Sequence, residues 1–92
     1  MSTQKENKQH TDRDQQGRQQ LNGTIGKHVM RALGQPGDFQ GVQVRHLWED
    51  HYRVNVLVGV GAGSVRIAHS YFLLADGDGN VIASTPKVTR QY

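Results

Sequence analysis

Titratable and aromatic side chains recur in this sequence at spacings that put several of them on one surface. His46, Trp48 and Tyr52 flank a short turn, His69 and Tyr71 stand two apart farther on, and His28 lies in an earlier amphipathic stretch. Imidazole exchanges protons near neutrality and ligates metals, so these six side chains form a candidate ligand pocket. The competing reading is that each histidine sits at a rim or takes a hydrogen bond within the core. A second constellation is basic. Arg45, Arg53 and Arg66 recur near Phe72, a pattern that can pair phosphates and stack bases. Arginines on a solvated strand face need no ligand, however, and neither a ribonucleoprotein signature nor helix-turn-helix spacing accompanies them.

Other segments resemble sites only in composition. Asp76-Gly77-Asp78-Gly79-Asn80 has oxygen side chains at alternate positions, as a calcium loop does, but Val81 stands where such a loop needs glycine and Lys87 where it needs glutamate. A hairpin turn accounts for every residue. Gly59-Val60-Gly61-Ala62-Gly63 lacks both the lysine of a phosphate loop and a following helix, whose N-terminus would hold the anion. Ser64, Ser70 and Ser84 lack a nucleophile elbow, and Glu49-Asp50 lies in an exposed turn with nothing to shift its acidity. The expectation is therefore no catalytic residue, no metal and no cofactor.

Size and composition bound the rest. The chain has 92 residues, a net charge of +3 and no cysteine. One small domain is the default, without disulfides or thiolate metal sites. The opening residues are too polar for a secretory signal and no apolar run is long enough for a membrane helix, so a cytoplasmic protein without membrane contact is expected. Residues 1–20 contain no large apolar side chain after Met1 and read as a disordered polar arm; residues 21–92 read as one α+β domain.

The domain opens with a helix of about ten residues capped by Asn22 or Thr24. Its stripe is Ile25, Val29 and Leu33, and Gly34 and Pro36 stop it. Four strands follow: about Gly41 to Trp48, Tyr52 to Val60, Val65 to Ala75, and Asn80 to Thr85, with the tail from Lys87 extending the last strand or fraying. In the second, Tyr52, Val54, Val56, Val58 and Val60 alternate with Arg53, Asn55, Leu57 and Gly59. If Trp48 pairs Tyr52, Val58 pairs Ile67 and Leu73 pairs Ala83, one register satisfies all three connections. The result is an antiparallel meander of order 1-2-3-4 with the short helix across its inner face, similar in layout to cystatin-like domains.

This register leaves Leu47, Arg53, Leu57, Phe72, Leu74 and Ile82 on the outer face, more apolar than solvent favours. The leading expectation is a small non-enzymatic binding or accessory module that self-associates through that face as a homodimer. The alternatives are a nucleic-acid-binding module using the arm with Arg45, Arg53 and Arg66, and a small-ligand pocket between helix and sheet.

Overall fold

The computed structural model describes residues 2–92, with side chains from Gly17 onward apart from Ala62. Helix α1 spans Ser2–Leu33 and is followed by β1 (Phe39–Trp48), β2 (His51–Val58), β3 (Arg66–Ala75) and β4 (Val81–Thr85). The four strands form one antiparallel sheet in the order β1-β2-β3-β4. This is the expected meander.

The docked part of α1 is the expected stripe. Ile25, Val29 and Leu33 are buried against Tyr52, Val54, Val56, Tyr71, Leu73 and Ala75, with Leu21 and Met30 packed at the margin. Gly26 lets the helix approach β1 closely, since a Cβ there would stand 3.1 Å from Val42 Cγ1. Neither Asn22 nor Thr24 caps the helix, because helical backbone continues before both. Thr24 Oγ1 instead donates to the Gln20 carbonyl one turn back, and Asn22 Nδ2 reaches the Val44 carbonyl of β1. Gly17 to Gln20 are exposed; the arm before them, expected to be disordered, lies outside the described side chains.

Gly34 takes the left-handed conformation, φ 87°, that ends a helix. The chain's last residues complete this end. The tail neither extends β4 nor frays: Val88 packs on the core, and the N–H groups of Gln91 and Tyr92 donate to the Leu33 carbonyl at 2.8 and 3.1 Å. One of the orphan carbonyls of a helix C-terminus is thereby satisfied by the far end of the chain.

The expected register is corrected by β-bulges. His46 pairs Tyr52 and Trp48 pairs His51, so Leu47 is an extra residue on β1 and the connecting turn is Glu49-Asp50 alone. Between Val56↔His69 and Leu57↔Ile67, Ala68 is the extra residue on β3. Between Leu74↔Ala83 and Ala75↔Val81, Ile82 is the extra residue on β4. A single inserted residue inverts the facing of everything beyond it. Trp48 therefore lies with His51 and Phe72 on the outer face, 52% exposed, rather than inside beside Tyr52. Ile67 shares the outer face with Leu57, and Ala83 and Thr85 share it with Leu74 and Phe72. Ser84 comes to the inner side opposite Leu73. Val60 and Val65, expected in strands, belong to the β2–β3 connection and are exposed.

Replacing Ile25 by Ala, at a fully buried position, is expected to cost about 2–5 kcal/mol in urea unfolding. A cost below about 1 kcal/mol contradicts docking of this helix as the support of the core.

Candidate functional site

The six side chains of the expected pocket do not converge. His28 sits on α1 with its Nδ1 2.6 Å from the Gly79 carbonyl. His46 Nε2 lies 2.6 Å from the Glu49 carbonyl, and its ring meets Tyr52 edge-on at 5.2 Å. Carbonyls only accept, so each of these nitrogens donates a proton, His28 to the distant β3–β4 turn and His46 to the turn beside it. His69 shares a hydrogen bond of 2.8 Å with the Tyr92 hydroxyl and stacks on Tyr71. His46 and His69 face different cross-strand rows, Tyr52 for one and Val56 for the other. Tyr52 and Tyr71 are core residues, 2% and 3% exposed. Burial, helped by the neighbouring Tyr92, pushes the Tyr71 hydroxyl above the ordinary tyrosine range, so it stays neutral near pH 7.

The aspartate-rich turn is closed on itself. Asp76 Oδ1 accepts from the backbone N–H groups of Asp78 and Asn80, and Oδ2 accepts from Asn80 Nδ2. The backbone and side-chain donors of Asn80 hold the Asp76 carboxyl below the usual carboxylate range. Gly79, at φ 85°, is the left-handed residue of this turn and packs against Thr24. Among the described residues no three His, Cys, Asp or Glu side chains come together as a metal-binding group.

The outer face is where unspent chemistry accumulates. Its central row runs Arg45, Arg53, Phe72, Thr85 across the four strands. Arg45 and Arg53 stand directly opposite each other. None of the four strands contains an Asp or Glu to neutralise them. On one side of this row, Trp48 stacks on His51 at 4.6 Å and lies 5.7 Å from Phe72. On the other side lies the polar row Gln43, Asn55, Ser70. Arg53 Nη1 donates to Ser70 Oγ at 3.4 Å, and Ser70 donates to Asn55 Oδ1 at 2.7 Å. These bonds consume acceptors and leave N–H groups facing out. Gln43, Val44, Arg45, Arg53 and Asn55 border a shallow groove of about 500 Å³.

The bulges also redistribute the expected sets. Arg66 pairs Val58, at the far end of the sheet and on the row of Phe39, so it does not join Arg45 and Arg53. Leu57 pairs Ile67 beyond the polar row, and Leu74 pairs His51 beside the aromatic cluster. Leu47 and Ile82 are the unpaired bulge residues. The face is thus apolar at both ends and cationic between them. Sequence reading missed His51 as a member of the aromatic cluster; its place follows from the two-residue turn, for which the sequence carries no glycine signal.

No helix among the described residues is long and apolar enough to cross a membrane. Compared with known proteins, the chain matches no family model, no curated protein and no solved structure.

Asp76 supplies a pH test of the turn. A carboxylate whose folded pKa is depressed stabilises the fold above its unfolded pKa and loses that contribution as pH falls through the folded value. Asp76→Ala is therefore expected to unfold more readily than the parent at pH 7, with the gap in thermal midpoint closing as pH falls through the acid range. A gap that is constant with pH contradicts the account.

Proposed function

We propose that this protein is a non-enzymatic binding module whose outer sheet face takes single-stranded nucleic acid, with phosphates at Arg45 and Arg53 and bases stacked on Trp48 and Phe72. The observation that carries this reading is the direct opposition of Arg45 and Arg53 on a sheet whose strands hold no carboxylate. Like charges so placed destabilise a strand pair, and a bridging anion reverses that cost. The neighbouring hydrogen bonds leave donors outward, which suits phosphate oxygens. Half-exposed Trp48 beside this pair supplies a stacking surface indifferent to base identity.

Exposed Trp48 and Ile67 also favour a second copy of the chain as occupant of this face. A two-fold axis through its middle, however, would bring two Arg45–Arg53 pairs together, which opposes that pairing.

Fluorescence anisotropy of a labelled oligothymidylate, measured across salt concentrations, tests the proposal. Binding should weaken with salt, and Arg45→Ala with Arg53→Ala should flatten the slope of log K against log salt by about 1.4. Trp48→Ala should weaken binding by about 1–3 kcal/mol. Absence of binding in the parent protein, or binding that these variants leave unchanged, overturns the proposal. If the oligonucleotide does not bind and sedimentation gives twice the chain mass, the second copy is the occupant.

A further inference from the structure

A second concavity lies on the helix-bearing side, between α1, β4 and the tail. It is about 600 Å³, within the size class of small-molecule sites. Its helix wall is His28, Val29 and Ala32. Asn80 to Ser84 follow one another along its floor, and Lys87 and Val88 close one end. β4 is a terminal strand of the sheet, so the groove runs along an edge with backbone N–H and C=O groups open to it. The apolar side chains on the helix side of this groove are Val29, Ala32, Val81 and Val88.

The side-chain hydrogen-bonding capacity left over at the Lys87 end of this groove is of one kind. Ser84 Oγ accepts from the Val88 N–H at 3.0 Å, which leaves its own O–H to donate. Lys87 brings an ammonium with three donors. His28 has committed its Nδ1 proton to the Gly79 carbonyl, and Asn80 has committed one of its two amide N–H groups to Asp76. No carboxylate borders the space. A hydrophobic trough ending in a cation and a free hydroxyl is complementary to a chain with an anionic head.

We propose that the groove between α1 and β4 binds an amphipathic carboxylate, its apolar chain along Val29, Ala32, Val81 and Val88 and its head at Lys87 and Ser84. This site shares no residue with the outer-face platform, and the two stand or fall separately.

The test is a nitrogen-15 NMR titration of the full chain with sodium dodecanoate kept below its micellar concentration. Dodecan-1-ol serves as the uncharged chain and sodium acetate as the head alone. Saturable shifts are expected at the amides of Ala32, Ala83 and Val88, with dodecan-1-ol binding at least about tenfold more weakly and acetate producing no saturable shift. Lys87→Glu should weaken dodecanoate binding by about tenfold or more. Ala32→Phe, at an exposed helix position, should weaken it by filling the trough while the spectrum stays folded. Arg45→Ala with Arg53→Ala should bind dodecanoate as the parent does. Absence of saturable shifts, equal binding of the alcohol, an unaffected Lys87→Glu variant, or shifts centred on Trp48 and Phe72 would each overturn the assignment.

Discussion

Each hairpin of this sheet holds at least one residue more than its partner strand can pair, and that surplus decides what each surface is made of. Gln40 and Leu47 on β1, Ala68 on β3 and Ile82 on β4 are the surplus residues. Each lets the core side of its strand stay in phase with the helix stripe over the middle of the sheet, while the side chains past the bulge change sides. Burial of Tyr52, Val54, Val56, Tyr71 and Leu73 against Ile25, Val29 and Leu33 fixes the central register. The ends adjust around it. Trp48 leaves the interior at one end and Ile67 leaves it at the other.

The consequence is a face with segregated character. The aromatic group sits at one end, the arginine pair in the middle, and the Leu57–Ile67 pair at the far end. Carboxylates are confined to connections on the described part of the domain: Asp38, Glu49, Asp50, Asp76 and Asp78 all lie outside the strands. A sheet face made this way has a positive potential with no internal neutralisation, and that directs the search for its partner towards anions. The helix side is different in kind. There the chain uses its own tail to finish the helix, and this folding-back walls off the groove beside β4.

Much of the architecture was legible in the residues. Period-two alternation from Tyr52 to Val58, the spacing of Ile25, Val29 and Leu33, and glycines at 34 and 79 specify the strand, the stripe and two left-handed positions. What was not legible is each bulge. Leu47, Ala68 and Ile82 carry no local mark of being unpaired; only the competition between core packing and turn length selects them. Trp48 lies on the opposite face from Tyr52 for this reason. His28, His46 and His69 each find a nearby partner, a carbonyl for the first two and Tyr92 for the third. The partnership of Leu33 with Gln91 and Tyr92 joins residues far apart in sequence and has no pattern of its own.

The account rests on which side of the sheet Trp48 occupies. The chain holds one tryptophan, so its indole protons are resolved without ambiguity in a proton NMR spectrum. Nuclear Overhauser contacts from that indole to the rings of His51 and Phe72 are the result the bulge at Leu47 requires. Contacts from it to Tyr52 or to the α1 stripe would contradict the bulge and dissolve the outer-face platform.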